Sequence, residues 1–165
     1  MSFVQTIAAA AKPWSDFYSH SKTTSAIVTW VHLAGILVGG GFALASDRAA
    51  LRAMGASAEE RVRVLRDFGS IHRPVVMALV VVTLSGLAQT LSDAETFLVS
   101  RVYWVKMGLI VLLLINGYGV MRTEQRLNRD PDVANPLWGR FRLGAIASIT
   151  LWLWTLLAGT FLLTA

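Results

Sequence analysis

Long apolar runs alternate with charged stretches along this chain, and four of the runs are long enough to cross a membrane. Three contain no Asp, Glu, Lys or Arg, at 23–46, 74–92 and 143–165, and the run 102–121 contains only Lys106. A hydrocarbon core of about 30 Å requires about 20 helical residues, and an open chain crosses it only as a helix. The pattern predicts an all-α, polytopic membrane protein with four transmembrane helices at about 23–46, 72–92, 102–121 and 143–164.

Two regions follow from this pattern. Residues 1–22 are less apolar and predict an N-terminal periplasmic or interfacial segment, whose helix we expect to end before Pro13, because proline disfavours the helical conformation of the preceding residue. Residues 23–165 form the transmembrane domain. Its short connections predict an up-down-up-down four-helix bundle.

Basic residues are distributed unevenly between the two ends of the predicted bundle. The loops 47–73 and 122–142 contain eleven arginines, whereas only four Lys or Arg residues lie towards the other end. Because cytoplasmic loops retain Lys and Arg, this asymmetry predicts a multi-pass protein of the bacterial inner membrane with both termini outside. It also accounts for the net charge of +5 without a nucleic-acid partner; the lipid bilayer is the expected surrounding.

Composition excludes several kinds of chemistry. The chain has no cysteine, which excludes disulfides, thiolate metal sites, iron–sulfur clusters and covalently attached c-type haem. The four predicted spans contain no carboxylate, which disfavours proton pumps and ion-coupled transporters. The five methionines are scattered, so they do not form a thioether path for copper.

His32 is the most informative single residue, because it lies about ten residues inside the first span. A charged group at such depth costs about 2–3 kcal/mol, so we expect a neutral imidazole with a partner. Its helical stripe contains mostly small and polar residues and is expected to face inward. Three explanations are open: a haem or metal ligand, a proton-relay group, or a structural hydrogen bond to another helix.

Three further residues are candidates for a cofactor site. Lys106 either reaches the headgroups with its long side chain or faces the bundle and binds an anionic group such as a haem propionate. His72 lies at the opposite end of the bundle from His32, so we expect the two histidines in different layers rather than on one haem iron. His20 would meet His32 if the N-terminal segment folded back over the bundle.

Glycines recur in every span, at 35, 39, 40, 41, 86, 117 and 159. Small residues let neighbouring helices approach closely in membranes. Two interpretations are open, namely close helix–helix contact alone or room for a flat cofactor beside a helix.

Two stretches carry a resemblance to known proteins. The first span contains WVHLAG at 30–35 followed by Asp47 and Arg48, and the third span opens with YWVKMGL at 103–109. This pattern resembles small bacterial four-helix membrane proteins related to the copper-resistance D family, a pattern shared by the HemJ-type protoporphyrinogen oxidases. The resemblance implies the same architecture, with His32 and Lys106 as the haem- or porphyrin-associated pair.

The leading hypothesis is a haem-b-binding or haem-associated membrane protein that serves electron transfer within a larger membrane complex. His32 would be an axial ligand, with Lys106 or His20 near the iron or the propionates. The second hypothesis is a non-catalytic scaffold or assembly subunit whose His32 bonds across helices. The third is a copper permease that uses His32 as a metal ligand.

Overall fold

The computed structural model describes residues 3–132 and 134–162, apart from the side chains of Ser70 and His72, and within these ranges it contains helices and no strand. Four helices of the described residues are long and apolar enough to cross a membrane: α2, α3, α5 and α6. The helices in chain order are α1 (Phe3–His20), α2 (Lys22–Ala53), α3 (Ala58–Ser92), α4 (Ala94–Val99), α5 (Arg101–Arg129) and α6 (Leu137–Leu162).

The four long helices extend beyond the predicted spans, mainly towards the arginine-rich end of the molecule. Much of the predicted loop 47–73 is helical and is continuous with the second span, so that both form one helix, α3, with Pro74 inside it. Ser57 caps its start, because its hydroxyl accepts a hydrogen bond from the Glu60 amide at 3.3 Å. Hydropathy detects only the apolar part of a helix, which suits lipid. A helix can continue beyond that part where its side chains pack against other residues.

The prediction that the N-terminal helix ends before Pro13 was wrong, because α1 continues through Pro13 to His20. Tertiary contacts hold the part after the proline. The indole Nε1 of Trp14 donates to the Ala88 carbonyl oxygen at 2.8 Å, and the Ser15 hydroxyl donates to the Ser92 carbonyl oxygen at 2.7 Å. The proline removes one backbone donor, and these two bonds to α3 offset that loss.

Helices α2 and α3 pack closely because α2 presents glycines to α3. A Cβ atom added at Gly35 would lie 2.7 Å from Val82 Cγ2, and one added at Gly39 would lie 3.0 Å from the Ala78 Cβ atom. Real Cβ atoms do not approach other atoms at 2.7 Å, so position 35 requires glycine at this helix separation. At successive contacts the residue number increases along α2, from 35 to 39, while it decreases along α3, from 82 to 78.

Helices α5 and α6 show the same opposite order of contacts. The side-chain amide of Asn116 donates to the Gly144 carbonyl oxygen at 3.0 Å, which is a hydrogen bond between the two helices. At the other end of the pair, a Cβ atom at Gly159 would lie 3.7 Å from Lys106 Nζ. Asn116 therefore serves the helix–helix contact that its place inside a span predicts.

The most tightly packed part of the molecule is at its arginine-rich end. Arg61 secures this end: its guanidinium donates to the carbonyl oxygens of Ala53 and Met54, at 3.2 and 2.6 Å, and lies 5.2 Å from the centre of the Trp138 ring. In the lipid-facing parts, large apolar side chains stay exposed, as a bilayer allows. The buried cluster comprises Ala50, Leu65, Phe68, Val120, Leu127, Trp138, Phe141 and Ala145.

Candidate functional site

His32 lies in α2 and is buried against α3. Its side chain is 8% exposed, and its Nδ1 atom lies 3.1 Å from the carbonyl oxygen of Val82 and 3.0 Å from the hydroxyl oxygen of Ser85. The Ser85 hydroxyl in turn donates to the backbone carbonyl of Val81 at 2.6 Å. The hydroxyl proton is therefore engaged within α3, and the Ser85 oxygen is left to accept from the imidazole.

This hydrogen-bond pattern sets the tautomer of His32. A carbonyl oxygen only accepts hydrogen bonds, so the bond to Val82 requires the proton on Nδ1, and in the neutral ring Nε2 then carries a free lone pair. Among the described residues none hydrogen-bonds to Nε2. An imidazole whose one nitrogen donates to a backbone carbonyl while the other is free has the arrangement that metal-ligating histidines use.

Glycine at position 86 makes room for the imidazole. A Cβ atom at Gly86 would lie 3.2 Å from His32 Cε1, which is tighter than most real Cβ contacts. It would also lie 3.6 Å from His32 Nδ1, at ordinary van der Waals distance. At Gly35, three residues further along α2, the side chain of Val82 occupies the space that a Cβ atom would need. The glycines between α2 and α3 therefore serve close helix contact and the seat of His32, which favours the first of the two interpretations of the glycine pattern at these positions.

Lys106 lies in the second turn of α5, in a layer at the same end of the bundle as His32. Its side chain is partly buried beside Gly159 of α6, and its ammonium group is within electrostatic range of the imidazole. Neither a hydrogen bond nor an ion pair joins this ammonium group to any of the described residues. The two residues that the first-span and third-span motifs contain are thus within electrostatic range of each other. Among the described residues, no anion pairs with the Lys106 ammonium group.

A third polar group lies near this layer. Thr155 is on the same stripe of α6 as Gly159, one helical turn away, and it is 9% exposed. Within the described part of the chain, its hydroxyl oxygen Oγ1 has no hydrogen-bond partner. The free imidazole nitrogen, the free ammonium group and this hydroxyl provide one metal-ligating group and two groups that suit an anionic or polar ligand.

The structure does not bring His20 to His32. His20 ends α1, is exposed, and its Nδ1 atom lies 2.7 Å from the Asp16 carbonyl oxygen of its own helix. Because α2 begins at Lys22, His32 lies about 15 Å further along the α2 axis. The N-terminal segment does fold over the bundle, but it packs on α3 through Trp14 and Ser15 rather than over His32.

The backbone of His72 belongs to α3, while its side chain lies outside the described residues. Its position is ten residues before Val82, which is about 15 Å along the helix axis from the carbonyl that holds His32. That separation agrees with the expectation that the two histidines occupy different layers of the bundle.

A metal site made of protein ligands alone has no support in the structure. The described side chains contain no group of three His, Cys, Asp or Glu residues that could hold an ion. A copper permease using His32 would require further ligands around this imidazole. A haem needs only one or two axial ligands from the protein, so the single imidazole fits a haem better than a bare ion.

Two carboxylates are buried although the sequence did not indicate it, because the predicted spans ended before them. Asp47 of α2 is 2% exposed and Glu124 of α5 is 4% exposed. The Asn128 side-chain amide donates to Glu124 Oε1 at 2.5 Å, whereas Asp47 Oδ2 is buried and has no hydrogen-bond partner among the described residues. Asp47 continues the inward stripe of His32, and extending that stripe by one turn would have found it.

Comparisons of this chain with family models, with curated proteins and with solved structures find no match. The resemblance to proteins related to the copper-resistance D family and to HemJ-type protoporphyrinogen oxidases therefore stays a prediction from short motifs.

Proposed function

We propose that this chain is a multi-pass protein of the bacterial inner membrane that binds haem b and transfers electrons within a larger membrane complex. The observation that supports this best is the hydrogen bond between His32 Nδ1 and the Val82 carbonyl oxygen, which directs the proton to Nδ1 and leaves the lone pair on Nε2. A histidine held in this way is oriented to ligate a metal centre before that centre arrives.

Each residue around His32 would have its own role in binding haem b. His32 Nε2 would ligate the iron, Val82 and Ser85 would hold the ring and its tautomer, and Lys106 would pair with a propionate carboxylate. Haem b supplies one-electron iron chemistry when bound. The ammonium group of Lys106, within electrostatic range of the imidazole, also favours an anionic partner over a cationic one, because it would repel an unaccompanied metal ion.

The orientation of the chain belongs to the same proposal. We place both termini outside and the arginine-rich end in the cytoplasm, in an up-down-up-down bundle. Support comes from the eleven arginines of the loops 47–73 and 122–142 and from the opposite order of contacts within α2/α3 and α5/α6. The site of His32 then lies in the outer half of the membrane.

The test is an absorption spectrum of haem-supplemented protein in nanodiscs, oxidised and dithionite-reduced. The wild type is expected to show a Soret band and a sharp reduced α band, which His32→Ala abolishes. His20→Ala is the matched control, because His20 is exposed and distant from the layer of His32, and it is expected to retain the full spectrum. Lys106→Met is expected to keep the bands but to weaken haem binding about tenfold, since a charged hydrogen bond contributes about 1.5–3 kcal/mol.

A second function is favoured by the same contact. Because His32 bonds α2 to α3, the chain could serve as a scaffold subunit in which the imidazole only joins two helices. A spectrum without haem bands in folded, haem-supplemented wild-type protein would contradict the haem proposal and support the scaffold. In that case His32→Ala would lower the stability of the bundle while changing no spectroscopic property.

A further inference from the structure

A cavity of about 280 Å³ lies among α2, α3, α5 and α6, towards the arginine-rich end and away from His32. Val76 of α3 and Leu114 and Tyr118 of α5 line it and are about half exposed, at 57%, 49% and 53%. In a membrane protein, exposed apolar residues on the outside of the spans face lipid. The opening between α3 and α5 therefore connects the cavity with the hydrocarbon of the bilayer.

The wall of the cavity contains a buried acceptor that lacks a donor. Asp47 lines the cavity and is only 2% exposed, and its Oδ2 atom has no hydrogen-bond partner within the described ranges. Ser148 of α6, which also lines the cavity, interacts with this carboxyl group. A buried polar atom without a partner is destabilising, so a ligand that donates a hydrogen bond here would recover that free energy.

The remaining surface of the cavity is apolar and partly aromatic. Phe68, Tyr118 and Trp152 contribute rings, and the rest is aliphatic apart from Met121, Gly117 and the polar Ser46, Asp47 and Ser148. Aromatic walls favour a flat ring by stacking or edge-to-face contact, and an acceptor at the wall favours a hydroxyl on that ring. The volume accommodates one ring system, and the lateral opening lets an alkyl chain extend into lipid.

We propose that this cavity binds a membrane-dissolved hydroxy-aromatic amphiphile, an alkylated phenol or quinol, whose hydroxyl donates to Asp47. The inference goes beyond the haem proposal and does not depend on it. Asp47 lies fifteen residues from His32 in the same helix, which is about 22 Å along its axis. The two sites lie at different depths, so substitutions at one can be tested without disturbing the other.

The experiment measures binding of para-octylphenol to the full-length protein in nanodiscs. Met121 lines the cavity, so its isotope-labelled methyl group reports occupancy by NMR, whereas Met107 lies outside the lining and reports non-specific lipid effects. The phenol is expected to shift the Met121 signal in a saturable manner. Its methyl ether, para-octylanisole, has no hydroxyl donor and is expected to bind about tenfold more weakly at equal mole fraction in lipid.

Protein variants provide the second arm. Gly117 lines the cavity and a Cβ atom there would meet nothing within 4 Å, so Gly117→Leu is expected to fill the cavity and abolish the phenol-dependent shift. Gly119 of the same helix also has open space around its Cβ position but does not line the cavity. Gly119→Leu is therefore the matched control and is expected to bind like the wild type. Asp47→Leu is expected to remove the preference for the phenol over the ether.

Three results would overturn the proposal. Equal binding of phenol and ether would show that the cavity holds any alkyl chain, such as a phospholipid tail. The absence of a saturable Met121 shift would exclude the site. Unchanged phenol binding in Gly117→Leu would place the ligand elsewhere. The comparison of the two ligands uses only the wild-type protein, so the outcome does not depend on whether Asp47→Leu folds.

Discussion

The hydroxyl oxygen of Ser85 lies 3.0 Å from Nδ1 of His32 and joins the buried imidazole of α2 to the backbone of α3. The Val82 carbonyl sets which nitrogen carries the proton, and Ser85 restricts the rotation of the ring around that bond. Both partners belong to one turn of α3, so the side chain of His32 is held by a single rigid element. This arrangement links the stability of the helix pair to the chemistry proposed for Nε2.

The first prediction concerns the coupling between His32 and Ser85. In a double-mutant cycle with His32→Ala and Ser85→Ala, we expect an interaction free energy of about 0.6–1.7 kcal/mol, the range for hydrogen bonds between membrane helices. The measurement is reversible unfolding of the four proteins in mixed micelles. Thr83→Ala is the control, because the exposed Thr83 hydroxyl bonds within α3 to Leu79, and its unfolding free energy should change by less than about 0.5 kcal/mol. Additive effects of the two substitutions would contradict the coupling.

A second prediction concerns Gly35, where α2 and α3 approach each other. Gly35→Ala places a methyl group 2.7 Å from Val82 Cγ2, and we expect the free energy of unfolding to fall by about 1–3 kcal/mol through overpacking. Gly41→Ala is the control, since a Cβ atom there meets nothing within 4 Å, and it should be neutral or raise stability by up to about 1 kcal/mol. Adding Val82→Ala to the Gly35 variant should restore part of the loss. Equal stability of the two alanine variants would be inconsistent with this helix separation.

The third prediction compares two arginines of α3. Arg61 donates to the last carbonyl groups of α2 and stacks on Trp138, so Arg61→Ala should lower the free energy of unfolding by about 1–3 kcal/mol. Among the described residues, the ion pair of Arg63 is with Glu60 and is exposed, so Arg63→Ala should change the free energy of unfolding by less than about 0.5 kcal/mol. Thermal unfolding followed by circular dichroism measures both. Similar midpoints for the two variants would show that Arg61 does not hold the end of the bundle together.

The fourth prediction tests the proposed orientation. Because the chain has no cysteine, single cysteines can be introduced without background: Gly55→Cys at an exposed position after α2, and Glu95→Cys at an exposed position of α4. In intact spheroplasts a membrane-impermeant maleimide should label Glu95→Cys and spare Gly55→Cys, and permeabilisation should expose both. The cysteine-free parent controls for non-specific labelling. The reverse pattern would place the arginine-rich end outside and refute the proposed topology.

Hydropathy located all four long helices, but it ended the first and third spans too early compared with α2 and α5, and it began the second and fourth too late compared with α3 and α6. The reason is physical: an apolar count detects only the turns that suit lipid, while α2 and α3 continue into a packed polar end. The same error excluded Asp47 from the spans and led to the expectation of no buried carboxylate. The predicted end of α1 before Pro13 was wrong for a related reason. The hydrogen bonds of Trp14 and Ser15 to α3 outweigh the one backbone donor that proline lacks.

The sequence by itself determined that this is an all-helical protein with four helices able to cross a membrane, because lipid tolerates only long apolar helices. It also singled out His32 and Lys106, because ionisable residues are rare inside such spans. Only the tertiary structure decided that His32 bonds to Val82 and Ser85, that Lys106 lies beside Gly159 of α6, and that Asp47 lines a cavity. Periodicity indicates which face of a helix points inward, whereas the partner of each side chain depends on how neighbouring helices are rotated and shifted against one another.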